Sequence, residues 1–227
     1  MPSVRRYRRL AAAVYRPEVV HLVIVGEAPP PERFFYFGDS LFVGYLRRAF
    51  LPLVPEAETR DIGWFLAFYR ALGGWRTDVC DETRRPTKGG ADDVSDCLEA
   101  FQRHWDALPL AEDPLVVVSP KRLRAALPPD IRERVTAAVP PPGQWNAHRQ
   151  AFLRDMAALL ERYIGRDRLR EAAVGVAEDD AALDFEIARA CAEGADDAEL
   201  RRLLRGHPRE ADLLRAWEEP GEEEGAA

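Results

Sequence analysis

The stretch VVHLVIVG, residues 19–26, runs directly into EAPPPERFFYFGDS, residues 27–40. A continuous apolar, β-branched run that stops at a glycine reads as a strand buried on both faces, the kind found inside parallel sheets. The next residues cannot extend it. Pro29, Pro30 and Pro31 fix φ and remove amide donors, so the chain must leave the sheet through a stiff corner. LVVV at residues 115–118, placed between Pro114 and Ser119-Pro120, has the same character. RTDVC at 76–80 and VTAAV at 135–139 are weaker strand patterns, each ahead of a polar or proline-rich loop.

Helical patterns fill the intervals, at residues 41–51, 62–72, 92–107, 121–126 and 146–164. Asp92 and Ser119 offer side-chain oxygens as N-caps for two of them. Strands that alternate with helices imply parallel pairing, because a parallel connection needs a crossover of about a dozen residues. The predicted fold is therefore α/β: a three-layer α/β/α sandwich with a central four-stranded parallel sheet, occupying residues 1–165. Residues 166–217 read as a small acidic helical appendage, with helices over 179–192, 196–204 and 208–217, and residues 218–227 as a disordered tail.

Composition narrows the class. Of the 227 residues, 47% are apolar and 31% charged, enough for one substantial core. No apolar run reaches the roughly 18–20 residues of a membrane helix, and residues 1–20 lack the apolar block of a signal peptide, so the expectation is a cytoplasmic protein with no membrane contact. Three scattered cysteines, Cys80, Cys97 and Cys191, are read as reduced thiols. The net charge of −7 is uneven: residues 1–165 carry 23 Lys+Arg against 21 Asp+Glu, residues 166–227 carry 9 against 18. The first part can therefore still meet phosphates, and the acidic helices can dock a protein partner. The cluster Arg5, Arg6, Arg8 and Arg9 around Tyr7 either touches a nucleic-acid backbone or forms the solvated face of a short helix.

Ligands of open parallel sheets bind beyond the carboxyl ends of the strands. The chemistry is accordingly sought in residues 26–36, 81–90, 119–121 and 140–146. Gly26 permits close backbone approach. Glu27 is a lone carboxylate at a strand end, able to orient a water or act as a base, or else only a cap for the next turn. Phe34, Phe35, Tyr36 and Phe37 offer flat faces for a planar ligand, or fill the core. Arg84, Arg85 and Lys88, with Lys121 and Arg122, line the same rim and suit phosphates. Asp78, Asp81, Glu82 and Asp39 form an alternative acidic set for Mg²⁺. Trp145 is either a stacking wedge or loop packing, and Asn146 a helix cap or a contact. GxxxxGK[ST], GxGxxG, GxSxG, HExxH and paired CxxC motifs are all missing, which argues against the common nucleotide, hydrolase and zinc templates.

The order of these segments is similar to a known family. GEAPP at residues 26–30 resembles the GEAPG motif after the first strand of the uracil-DNA glycosylase superfamily, above all its thermostable iron–sulfur branch. RTDVC at 76–80, with Asp81, Glu82 and Pro86 following, looks like that branch's strand ending in TNVVKCRP. LVVVSPKRLRAAL at 115–127 resembles the third strand and short helix, and VPPPGQWNAHRQAFLRDMAALL at 139–160 stands in the place of the HPS loop and last helix. The resemblance covers residues 18–164 and is closest at its first motif. It implies a base flipped into a pocket at the strand ends, with Gly26, Ala28 and Pro29 shaping the pocket. Glu27 would position the water that attacks the sugar C1′, and an aromatic among Phe34, Phe35 and Tyr36 would stack on the base. Asp78 would read the base edge, and the loop ending at Trp145 and Asn146 would wedge into the nucleic acid.

The chain departs from the family pattern in three places. Three cysteines cannot supply four thiolate ligands, so no iron–sulfur cluster and no other cofactor is expected. Asp78 replaces the family's asparagine and, ionised, only accepts hydrogen bonds, which suits an amino group better than uracil O4. The HPS histidine is replaced by proline, and His148 falls on a helix surface. The expected function is hydrolysis of the N-glycosidic bond of a modified or damaged base in nucleic acid, with DNA or a nucleotide as the expected partner. The alternatives are a non-catalytic binding module on the same fold and a metal-dependent phosphohydrolase.

Overall fold

The computed structural model describes residues 2–83, 94–143 and 145–219. The chain begins with α1 (Val4–Val14), β1 (Val20–Gly26), α2 (Leu41–Phe50), α3 (Ile62–Ala71) and β2 (Gly74–Asp78). It continues through α4 (Leu98–Asp106), β3 (Leu110–Val118), α5 (Leu123–Ala126), α6 (Pro129–Arg134), β4 (Ala137–Ala138) and α7 (Asn146–Leu159). It closes with α8 (Arg166–Val174), α9 (Glu178–Glu193), α10 (Asp197–Leu204) and α11 (Glu210–Glu218). The four strands form one sheet in the order β2-β1-β3-β4, and every pairing is parallel. The expected α/β/α sandwich around a four-stranded parallel sheet is the fold of this chain.

The apolar run of β1 occupies the central region of the sheet, and Leu22, Val23, Ile24 and Val25 are fully buried. β3 starts earlier than its apolar segment. Val20 pairs with Leu110, but Leu22 already pairs with Leu115, so residues 111–114 bulge out of register. Pro114 has no amide to give the ladder, and Glu112 and Asp113 stay exposed, which accounts for the bulge. β4 is shorter than expected, reduced to two ladder residues at an edge.

Local chemistry sets several helix starts. Ser3, Ser40, Asp61 and Asp196 accept from the amides of Arg6, Val43, Trp64 and Glu199 respectively. Ser119 does not cap: α5 starts four residues later at Leu123, and its N-cap position is Arg122. Asp92 lies outside the described residues. Helix α3 is buried from Gly63 to Tyr69 because it lies between β2 and the helices α8 and α9. A Cβ on Gly63 would stand 2.7 Å from the Cβ of Phe185, so glycine there lets α9 approach.

The C-terminal helices are not a loose appendage. Ile187, Leu204, Leu213 and Trp217 are fully buried and belong to the same apolar cluster as the sheet. α9 packs on α1 and α3, and α11 packs on α1. The N-terminal arginines serve this docking. The Arg6 guanidinium stacks on Trp217 at 3.9 Å and its Nε donates to the Trp217 carbonyl. Arg9 Nε donates to the carbonyl of Ala216 at 2.8 Å. Arg6 and Arg9 thus tie the two ends of the chain together, while Arg5 pairs with Asp81 and Arg8 donates to the carbonyls of Pro30 and Pro31.

A buried polar network reinforces the junction. Asp184 Oδ2 lies 2.8 Å from Arg70 Nη1, and its Oδ1 lies 2.9 Å from His207 Nε2. His207 Nδ1 accepts from the amide of Arg209, so the ring proton sits on Nε2 and is donated to Asp184. Among the described residues no helix is long and apolar enough to cross a membrane.

Candidate functional site

Parallel register brings the four strand ends to one edge. Gly26 pairs with Asp78, Val25 with Val118, and Val118 with Ala138. The chain therefore leaves the sheet side by side at Glu27, Val79, Ser119 and Val139. Main-chain bonds continue the ladder past the strands: Val79 N–H donates to the Gly26 carbonyl, Cys80 N–H to that of Glu27, and Ser119 N–H to that of Val25. The bases of the exit loops are held as firmly as the sheet itself.

Glu27 sits at the mouth of this edge with its side chain 12% exposed. Its carboxylate lies 2.7 Å from Arg122 Nη2, and the arginine is 48% exposed. Arg122 follows β3 by four residues, so the pair bridges the exits of β1 and β3. Gly26 has a different task. A Cβ on it would lie 2.1 Å from Arg76 Nη2 and 2.2 Å from Asp78 Oδ1. Arg76 and Asp78 share one face of β2 and form an ion pair at 2.6 Å directly over the Gly26 backbone. Arg76 also stacks on Phe42 at 4.7 Å. Burial pushes the Asp78 carboxyl above its ordinary range, with the charge and hydrogen bond of Arg76 pulling the other way. Asp78 thus faces Arg76, with its side chain 13% exposed.

The aromatic corner divides between core and rim. Phe35, Tyr36 and Phe37 are buried in a short turn. Tyr36 stacks on Tyr15 and leans on Trp75, while its hydroxyl donates to the Arg76 carbonyl and accepts from the Arg76 amide. Phe35 packs edge-on against Tyr69 and Phe42. Of the three rings proposed for base stacking, only Phe34 keeps partial exposure. Pro29 is buried and Ala28 half-buried, so the corner is built into the body of the fold. Arg8 fastens it by donating to the carbonyls of Pro30 and Pro31 at 2.6 and 3.0 Å, while its guanidinium lies 5.7 Å from the Phe34 ring. Asp39 accepts from the Phe34 amide.

On the far side of the edge, Trp145 is 73% exposed at the N-cap position of α7. Asn146 is the first helical residue, is exposed and does not cap. Arg149 Nε donates to the Gly143 carbonyl at 2.8 Å and ties the loop back onto the helix, and His148 is a surface residue. Lys121 is exposed on the rim beside Arg122. Ser119 Oγ is buried there with no hydrogen-bond partner among the described residues. Arg84, Arg85 and Lys88 lie outside the described residues.

The acidic set does not converge. Asp78 faces Arg76, Asp39 serves the Phe34 amide, and Asp81 pairs with Arg5 at 3.2 Å. Among the described residues, the group of His, Cys, Asp and Glu close enough to share a metal ion is Cys80, Asp96 and Cys97. Two of those ligands are consumed, because Cys80 and Cys97 are joined in a disulfide. This corrects the reading of all cysteines as reduced thiols: the pair stands 17 positions apart in sequence, but the exit of β2 and the start of α4 bring their Cα atoms to 5.3 Å. Cys191 is free and buried, and burial lifts its thiol to about 12.

Sequence reasoning named Glu27 and Arg122 separately but not as partners, and it missed Arg76 as Asp78's partner. The second pair was legible in principle, since residues two apart on a strand share a face. No family model, curated protein or solved structure matches the chain.

Proposed function

We propose that this chain is a uracil-DNA-glycosylase-like protein that hydrolyses the N-glycosidic bond of a modified base in nucleic acid, with Glu27 as its catalytic residue. The observation that carries this reading is the position of Glu27. It is a partly exposed carboxylate at the carboxyl end of a buried parallel strand, oriented by Arg122, with the half-buried Phe34 ring in the same exit loop and Trp145 on the loop after β4. In the reaction Glu27 accepts a proton from water as its oxygen bonds to C1′. The C1′–N bond breaks with its electron pair leaving on the base, which then takes up a proton. Lys121 supplies positive charge for the flanking phosphates, and Trp145 is suited to fill the space left by an extruded base. The aromatic stacking role falls to Phe34, and Asp78 acts by holding Arg76 rather than by reading the base.

A second reading, binding without catalysis, is favoured by the ion pair that occupies Glu27. The two make opposite demands on Glu27 and Trp145. The test is abasic-site formation on single- and double-stranded oligonucleotides carrying uracil, hypoxanthine, xanthine or alkylated bases. The expected outcome is product from at least one substrate, lowered about 100-fold or more by Glu27→Gln. Nucleic-acid binding that survives Glu27→Gln but is lost in Trp145→Ala, with no product from any substrate, would replace the enzyme reading with the binding module.

A further inference from the structure

A cavity of about 640 Å³ opens at the opposite edge of the sheet, where β1 and β2 begin. Its wall includes Arg16 and His21 from the entry to β1, Arg70 from the end of α3, Arg168 from α8 and Arg209 from the start of α11. The acids on the wall are Glu18 and Asp212, and Asp212 faces Arg215 at 3.8 Å. Asp184, behind Arg70, is shared between Arg70 and His207. Arg209 donates to the main-chain carbonyls of Ala13, Val14 and Arg16, and the carboxylates of Asp184 and Asp212 lie near enough to act on its charge. Carbonyls fix a guanidinium in place without neutralising it.

Four guanidinium groups from four separate elements thus converge on one concave space in a chain whose net charge is −7. The electrostatics of the wall agree with that geometry. Burial and the charge of Arg168 hold His21 below its ordinary range, and burial and the nearby Arg70 lower Arg209 against the opposing pull of Asp184 and Asp212. A cavity of this volume is the size of a small-molecule site. Donors arriving from different sides suit a tetrahedral oxyanion better than a planar one, and guanidinium forks match phosphate oxygens in pairs.

We infer that this cavity is a binding site for a small phosphate-bearing molecule, separate from the Glu27 edge. Arg70 and Arg209 form its fixed floor. Arg16 and Arg168, both exposed, are the arms that close on the ligand. The site explains why α8 and α11 are docked against the sheet's entry edge: each contributes one guanidinium to it.

The experiment uses the full chain with inorganic phosphate, pyrophosphate, a nucleoside 5′-monophosphate and succinate, titrated by calorimetry and followed by the ring signals of the four histidines. The expected result is binding of at least one phosphate compound, with the His21 signal moving more than those of His104, His148 and His207. Arg168→Glu and Arg16→Glu are expected to weaken it at least about tenfold while leaving the melting temperature without ligand unchanged. Glu27→Gln, at the other edge, should bind as the native chain does. The inference is overturned if no phosphate compound binds at millimolar concentration, if binding is indifferent to Arg168→Glu, or if succinate binds more tightly than every phosphate compound.

Discussion

At Gly26 the demand for glycine comes from a neighbouring strand rather than from its own dihedrals. The Arg76–Asp78 pair lies where a Cβ would project. Gly26→Ala is therefore expected to destabilise the fold by about 1–3 kcal/mol, the usual range for overpacking a tight site. Gly44, in the middle of α2 with open space where a Cβ would go, is the control. Gly44→Ala should stabilise by about 0.4–1 kcal/mol, and urea midpoints of the two variants moving in the same direction would contradict this account of Gly26. Asp78 adds a pH signature. Its carboxyl is held higher in the folded chain than in the unfolded one, so the unfolded chain gives up the proton first as pH rises. The stability of the native chain relative to Asp78→Asn should be greatest in acid and should decline as the pH rises above the ordinary carboxylate range of about 4. A difference that grows with pH there would show that the Arg76 charge outweighs burial.

The disulfide between Cys80 and Cys97 acts at the scale of elements, joining the exit of β2 to the turn before α4. Closing a loop of 17 residues restricts the unfolded chain and is worth about 3 kcal/mol in the chain-entropy account. Cys97→Ser, or reduction of the native protein, should lower the unfolding free energy by that amount, read as a lower melting temperature. Under reducing conditions the native and mutant chains should melt together. Strand placement at this scale was largely legible. The apolar run at 115–118 falls inside β3, and that at 19–25 lies within β1 from residue 20 on, because a strand buried on both faces leaves an unbroken apolar signature. The extra length of β3 was not, since residues 110–114 pair only through the bulge that a neighbouring strand imposes. Helices α6 and α8 were missed as well, being short and mostly exposed.

For the whole molecule, the deciding feature is the junction between the α/β body and the C-terminal helices. Asp184, 1% exposed, is the shared acceptor for Arg70 of the body and for His207 of the last helices. Asp184→Ala would leave the buried His207 ring and the partly exposed Arg70 guanidinium without their shared carboxylate, at a cost of about 3 kcal/mol. The expected outcome is a lowered melting temperature together with faster proteolysis between α8 and α11. Loss of stability with unchanged protease resistance there would mean that the apolar contacts of Trp217 and Ile187 hold the junction unaided.

The sequence by itself determined the α/β class, the parallel sheet and the place of Glu27 at its carboxyl edge, because apolar periodicity and proline and glycine punctuation are local in the chain. Only the tertiary structure decided what faces what. It gave Glu27 its Arg122 and Asp78 its Arg76, buried Phe35 and Tyr36 in the core, closed the Cys80–Cys97 bond and turned Arg6 and Arg9 onto α11. Each of these depends on the register between strands or on packing between elements far apart in the chain. The identity of a partner across such a distance leaves no periodic trace in a single sequence.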